Sequence, residues 1–86
     1  MKIPTIHLNG TAAQDLLDDL FNAMAATKAA VEVLNKTAPN GRDYYPQGHG
    51  VIWIAEEEHR ARVQKLLDVC NELQQITEGI DAQGRK

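Results

Sequence analysis

Apolar residues recur along two long stretches of the chain at the spacing of helices that bury one face. In the first stretch these positions alternate at intervals of four and three: Ala13, Leu17, Leu20, Met24, Thr27, Val31 and Leu34. Alanines on either side of this seam widen the apolar face and allow close packing. The heptad-like pattern predicts a helix over residues 11–37 that packs against another helix.

Both ends of this first stretch carry helix-boundary signals. Thr11 precedes Gln14 by three positions, which is the spacing of a capping box, in which the two side chains satisfy two unpaired N–H groups. Pro39 follows the last apolar position, and the residue ahead of a proline is pushed out of helical geometry. We therefore expect the first helix to begin at Thr11 and to end before Pro39.

The second stretch, residues 51–78, also predicts a helix. One seam contains His59, Val63, Leu66, Cys70 and Leu73, and a second contains Leu66, Val69, Leu73, Ile76 and Ile80. Residues 51–54 are apolar and rich in β-branching, so they also suit a short strand, but the helical run behind them favours a helix. Glu78 and Gly79 mark the expected end, and residues 79–86 predict a flexible polar tail.

Residues 1–10 predict a short extended arm, because Ile6 and Leu8 alternate with polar neighbours. A lone extended segment leaves its backbone donors and acceptors unpaired, and a second copy of the chain is expected to supply the partners. Both helices also show more than one apolar face, whereas a hairpin has one contact strip. The predicted fold is all-α: an antiparallel two-helix hairpin with a short extended N-terminal arm, which forms a homo-oligomeric helical bundle.

The connector between the helices, residues 38–50, is the candidate working surface. Connectors between antiparallel helices need only about 2–8 residues, and longer ones in compact domains tend to be functional or disordered. This connector contains both tyrosines of the chain, and disordered segments are poor in aromatic residues. We therefore expect an ordered loop.

The residue types of this loop suit a phosphate or another planar anion. Arg42 offers a planar fork for a phosphate, and Tyr44 and Tyr45 offer ring faces to a base. The candidate ligand-binding set is Asn40, Arg42, Tyr44, Tyr45, Gly48 and His49, with His7 from the arm and with Lys28 and His59 on the floor of the site. A purely structural loop is the alternative, in which Asp43 pairs with Arg42 and the tyrosines plug the open end of the bundle.

Composition and charge narrow the function classes. The 86 residues carry a formal net charge of −3 without a cluster of basic residues, so duplex nucleic acid is not an expected partner. The single cysteine, Cys70, lies at an apolar helical position and is expected to be a buried hydrophobe in a reducing compartment. No segment approaches the ~20 apolar residues of a membrane span, and the N-terminus is too short and polar for a signal peptide. We expect a cytoplasmic protein without a membrane partner.

Catalysis has little support in these residues. The chain contains no serine, and Cys70 is remote from the loop. Glu56 and His59 have the Glu-x-x-His spacing of di-iron bundles, but those sites need two such motifs and two further glutamates. His59 is expected instead to hydrogen bond across the seam to the first helix. We predict no enzyme activity, no cofactor and no metal site.

Three segments of the chain, Ile6–Thr11 (IHLNGT), Asp15–Leu17 (DLL) and Ala38–Gly48 (APNGRDYYPQG), carry a family resemblance. They resemble a family of short, mostly uncharacterised proteins of tailed bacteriophages and prophages. The resemblance covers most of the chain through the second helix, and NGRDYY at residues 40–45 is its most specific part, while the apolar start at residues 51–54 departs from it. It implies a phage or prophage origin and a role in the cytoplasm of an infected bacterium, without implying an activity.

Two functional hypotheses follow. Small oligomeric phage proteins that sequester cyclic or ADP-ribose-derived signalling nucleotides are similar in size and helical character, which is an analogy of fold and context only. The first hypothesis is that an oligomeric hairpin uses its loop to sequester a nucleotide-like signalling molecule and so counters a host defence. The second is an interaction module that docks on a host or phage protein, with Tyr44, Tyr45 and Trp53 as anchors.

Overall fold

Two antiparallel helices form the body of the structure, a computed structural model that describes residues 1–84. Helix α1 spans Ala13–Asn35 and helix α2 spans Val51–Gln83, and no strand occurs between residues 1 and 84. The helices pack along each other and give a rod of 62 × 20 × 18 Å. The predicted all-α helical hairpin is confirmed.

The seam between the helices follows the heptad pattern of the sequence. Met24 of α1 and Ala55, Cys70 and Ile80 of α2 are the buried apolar residues, so the predicted burial of Cys70 is confirmed. Most other seam positions are half-buried. Because two helices share only one contact strip, the core is narrow, and Ile80 is the one large side chain among residues 1–84 that is fully buried.

Helix α1 begins two residues later than the sequence predicts. Its N-cap is Ala12, which supplies no side-chain cap, and the expected capping box with Thr11 is wrong. The side-chain amide of Gln14 instead donates to the Asp18 carboxylate at 2.7 Å, an i,i+4 pair within the helix that leaves no cap on the first turn. At the other end the Thr37 hydroxyl donates to the Leu34 carbonyl at 2.7 Å.

Helix α2 continues to Gln83, five residues beyond its predicted end. Residues 51–54 are helical as predicted. Gly79, expected to end the helix, lies inside it and admits the arm: a Cβ atom at this position would come within 2.7 Å of the Ile3 Cγ2 atom. Residues 79–83 of the predicted flexible tail are therefore helical, and residues 85–86 of that tail lie outside the described residues.

The arm, residues 1–10, bonds to helix α2 of its own chain. The Ile6 amide donates to the Gln83 Oε1 atom at 2.9 Å, and the Gln83 Nε2 atom donates to the Pro4 carbonyl at 2.8 Å. The expectation that a second copy must pair with the arm is wrong for these groups, because one glutamine satisfies both. The arm thus lies at the end of the hairpin opposite the loop.

Candidate functional site

The loop between the helices, residues 36–50, is ordered by its own backbone. Two short 3₁₀ turns, Gly41–Asp43 and Tyr45–Gln47, follow one another in it. The Asn40 side chain accepts a hydrogen bond from the Arg42 amide at 3.1 Å and so caps the first turn. Asparagine forms this local bond readily, which explains the ordered start of the NGRDYY segment.

Two glycines set the path from the loop into helix α2. Gly48 has φ 120° and ψ 169°, a combination that is open essentially to glycine alone. Gly50 is left-handed, with φ 88°, and its carbonyl accepts the first hydrogen bond of the helix, from the Trp53 amide at 3.2 Å. These two positions redirect the chain within three residues and fix where the first turn of α2 starts.

Aromatic side chains cluster around this turn. His49 contacts Trp53 edge to face, with ring centroids 5.8 Å apart at 83°. Tyr44 is half-buried, whereas Tyr45 is 76% exposed and Trp53 is 62% exposed. We call the surface formed by Tyr45, His49, Trp53 and the neighbouring Ile54 the aromatic tip. Tyr45 and His49 lie on the ordered loop, and Trp53 and Ile54 lie on the first turn of α2.

Arg42 is an exposed, unengaged cation beside the aromatic tip. Its guanidinium forms no ion pair or hydrogen bond within residues 1–84. The alternative in which Asp43 pairs with Arg42 is therefore wrong, because the 3₁₀ turn uses the backbone of both residues and leaves both side chains in solvent. Arg42 remains available to an anionic group from outside the chain.

The described part of the chain encloses no detectable cavity at the loop or elsewhere. Asn40, Arg42, Gly48 and His49 are all exposed, so they form an outer surface instead of a hollow. Residues 1–84 also contain no cluster of three or more side chains suited to a metal ion. A ligand at this end of the described chain would therefore meet an exposed surface without a detectable cavity.

Three residues of the predicted ligand set lie away from the loop. His7 belongs to the arm at the opposite end of the rod, so it does not join the loop in one chain. Lys28 is exposed on α1, seven residues before that helix ends. His59 lies on the third turn of α2 and is only 8% exposed, because it is a seam residue.

His59 also lacks the partner that the sequence predicts for it. Its Nδ1 atom is buried and forms no hydrogen bond, so the expected bond across the seam to α1 is wrong. The helix–helix contact brings mainly aliphatic side chains to this strip, and threonines on it bond to their own helices, as Thr27 does to the Ala23 carbonyl. His59 is thus a buried polar residue whose Nδ1 atom has no hydrogen-bond partner in the described part of the chain.

Ile54 and Phe21 are two of the exposed apolar residues that sequence reasoning missed. Ile54 is 62% exposed and extends the aromatic tip, although the sequence argument considered it only as a part of a helix or strand. Phe21 is 52% exposed on α1, directly after the seam residue Leu20. Heptad numbering carries the signal in both cases, since neither residue falls on a position that faces the other helix.

Comparisons of the chain with protein-family models, with curated proteins and with solved structures found no match. The resemblance to short phage and prophage proteins therefore stays a prediction. Within residues 1–84 neither helix contains a stretch long and apolar enough to cross a membrane.

Proposed function

We propose that this protein is an interaction module that presents its aromatic tip to a partner protein. The observation that carries the proposal is the exposure of Trp53 and Tyr45, at 62% and 76%, on a backbone that is already ordered. Tryptophan, tyrosine and arginine dominate the energetics of protein interfaces. A rigid anchor also loses little conformational entropy on binding, so its contacts contribute more fully to affinity.

The chemistry of the tip indicates the kind of partner surface. Trp53 and Ile54 offer apolar area, and Arg42 offers a planar cation without an internal counter-ion. A complementary surface is an apolar groove with carboxylates at its rim, because a carboxylate pairs bidentately with a guanidinium. The phage resemblance in residues 38–48 makes phage proteins and proteins of the infected bacterium the partners to test first.

Affinity capture with matched variants tests the proposal. Trp53→Ala removes the main anchor, and Phe21→Ala removes an exposed aromatic residue from the body of α1, 14 residues before that helix ends. We expect a partner that is retained by the wild type and by Phe21→Ala and is released by Trp53→Ala. Truncation of such an anchor costs about 2 kcal/mol or more, close to a 30-fold loss of affinity.

The capture must then be repeated with the purified partner. Direct binding that weakens with Trp53→Ala and with Arg42→Ala supports the aromatic tip as the docking surface. A partner that binds Trp53→Ala as tightly as the wild type contradicts the proposal, as does the absence of any protein that distinguishes the two baits.

A second candidate function is sequestration of a nucleotide-like signalling molecule, as the sequence predicts. The observation that favours it is the exposed guanidinium of Arg42 without an internal partner, two residues before Tyr44 in the chain. Because residues 1–84 of one chain enclose no cavity, such a site would need a second copy to enclose its ligand.

Thermal unfolding against a nucleotide panel that includes cyclic di- and trinucleotides and cyclic ADP-ribose isomers tests this second candidate. A ligand at about 100 times its Kd stabilises the folded state by ~2.7 kcal/mol, which raises the Tm of a small domain by several degrees. Arg42→Ala should remove the shift without changing the free energy of unfolding of the ligand-free protein by more than the ~0.5 kcal/mol typical of surface substitutions. No shift with any member of the panel contradicts it.

A further inference from the structure

The single chain exposes more surface than its mass requires. Its accessible surface is 6545 Å² at 9.5 kDa, whereas a compact protein of this mass exposes about 5,000 Å². Its radius of gyration is 19.0 Å, against about 12 Å for a compact chain of 86 residues. Two copies that each buried the excess would share an interface of about 3,000 Å², which lies in the range of obligate homodimers.

One side of the hairpin offers an apolar surface for such an interface. The residue before a core position lies beside the seam. The relevant core positions are Met24 and Val31 of α1 and Cys70 and Thr77 of α2. In an antiparallel pair these preceding positions of both helices share one side. They are Ala23 and Ala30 on α1 and Val69 and Ile76 on α2, and the equivalent position before the seam residue Val63 is the exposed Arg62.

Ala26 and Val33 widen this surface on α1, because each follows one of its alanines by three residues on the same helix. We call the resulting surface the alanine face: Ala23, Ala26, Ala30 and Val33 of α1 together with Val69 and Ile76 of α2. Ile76 is half-buried, and the other five residues are exposed. Small side chains let helix backbones approach closely, so this face suits another helix pair.

The opposite side of the hairpin is less suited to a helical partner. It contains the residues that follow the core positions Leu20, Thr27, His59 and Leu66. Apolar Phe21 and Leu67 are interrupted there by cationic Lys28 and Arg60, both exposed. Burying two such cations without partners is costly, whereas the equivalent positions beside the alanine face include one cation, Arg62.

Charge along the rod indicates how a second copy is oriented. The end near the arm, residues 1–23 and 67–84, has Lys2 as its one basic side chain and six exposed acidic residues: Asp15, Asp18, Asp19, Asp68, Glu72 and Glu78. The half near the loop, residues 24–66, contains six basic and five acidic side chains, so its net charge is +1, whereas that of residues 1–23 and 67–84 is −6. Antiparallel copies place each acidic end beside the nearly neutral half of the other copy, whereas parallel copies place the two acidic ends together, which is unfavourable.

We propose that two copies of this chain pair side by side through the alanine face, with their aromatic tips at opposite ends, to form a four-helix bundle. The dimer covers the apolar strip that one hairpin leaves open and keeps the two acidic ends apart. Both tips remain outside this interface. The dimer is therefore independent of what the tips bind.

Sedimentation equilibrium with a matched pair of variants tests the dimer. Ala30→Arg places a cation on the alanine face, and Ala29→Arg places the same cation one residue away on the outer side of α1. We expect twice the chain mass of 9.5 kDa for the wild type and for Ala29→Arg, and the monomer mass for Ala30→Arg, because the buried cation weakens the dimer by about 100-fold or more. Circular dichroism should show a folded helical chain in both variants, since both alanines are exposed.

Other outcomes overturn the proposal. A wild-type mass of 9.5 kDa contradicts the dimer, and so does an equal effect of the two arginine substitutions on the mass.

A distance between spin labels tests the orientation directly. Gln47 is exposed in the loop, so Gln47→Cys in a Cys70→Ala background carries one label for each chain. Antiparallel copies separate the two labels by a distance of the order of the 62 Å long axis. Parallel copies bring them within about two helix diameters, roughly 25 Å, and that result would overturn the orientation.

The outcomes of this experiment and of the tip experiment are distinguishable. Ala30→Arg leaves Trp53, Tyr45 and Arg42 unchanged. A monomeric Ala30→Arg protein that still captures the partner therefore shows that binding at the tip does not depend on the dimer. Trp53→Ala conversely leaves the alanine face intact, and its mass should equal that of the wild type.

Discussion

Replacing His59 by leucine is expected to stabilise the protein. The side chain is 8% exposed and its buried Nδ1 atom has no hydrogen-bond partner. The other polar residues on the seam are satisfied within their own helices, since the Thr77 hydroxyl donates to the Leu73 carbonyl at 2.9 Å and Thr27 bonds in the same way. His59 thus carries a desolvation cost that no interaction in residues 1–84 offsets at Nδ1.

The magnitude follows from that unpaired atom. A buried polar group without a partner costs about 1–3 kcal/mol, and removing it by an apolar replacement recovers part of this cost. Leucine differs from imidazole in shape, so some packing is lost, and its higher helix propensity adds a few tenths of a kcal/mol. We expect His59→Leu to raise the free energy of unfolding by about 1 kcal/mol, which corresponds to about 4–8 °C in Tm for a domain of this size.

Thermal and urea unfolding of three variants at one fixed protein concentration measures this effect. The concentration is held constant because self-association makes the Tm depend on it. His59→Gln keeps a polar group on the seam and should show no comparable gain, and His7→Leu removes an exposed histidine and should lie within ~0.5 kcal/mol of the wild type. A loss of stability of more than about 1 kcal/mol in His59→Leu would refute the reasoning, because it would show that the imidazole makes a favourable interaction.

Three further predictions concern the loop and the arm. Gly48→Ala should lower the free energy of unfolding by about 1–3 kcal/mol in urea titrations, because alanine does not tolerate φ 120°, whereas Gly41→Ala, with open space around it, should be nearly neutral. Gln83→Ala should release the arm, seen as faster hydrogen exchange at the Ile6 amide, and unchanged exchange would contradict the bond. Gly79→Ala should displace Ile3 and increase proteolysis within the arm despite the better helix propensity of alanine, and an arm cleaved no faster than in the wild type would count against that contact.

The helices were predictable because their signals are local and repeated. Apolar residues recur at intervals of four and three from Leu17 to Leu34, so they lie on one face of a helix. That face predicts both α1 and an antiparallel helix packed against it. Boundaries were less predictable, since Thr11 and Gln14 have the capping spacing but Gln14 bonds to Asp18 instead. The Gln14 side chain can bond either to the helix N-terminus or to a residue four positions ahead. Sequence spacing alone does not say which of these two hydrogen bonds forms.

Long-range contacts account for the remaining differences. Gly79 has the character of a helix end, yet α2 passes through it because the arm packs on it from 76 positions away in the sequence. Gln83 pairs with the arm for the same reason. The predicted ligand set likewise separates into loop residues, which lie together, and His7 and His59, which antiparallel geometry and burial remove from the loop.

The fluorescence of Trp53 tests the proposed function most directly, because it is the only tryptophan of the chain and belongs to the aromatic tip. In the free protein the indole is 62% exposed, so its emission should be that of a solvated tryptophan. Addition of the purified captured partner is predicted to shift the emission to shorter wavelengths as the ring enters an apolar groove. A partner that binds with no change in the emission of Trp53 would contradict the assignment of the tip as the binding surface.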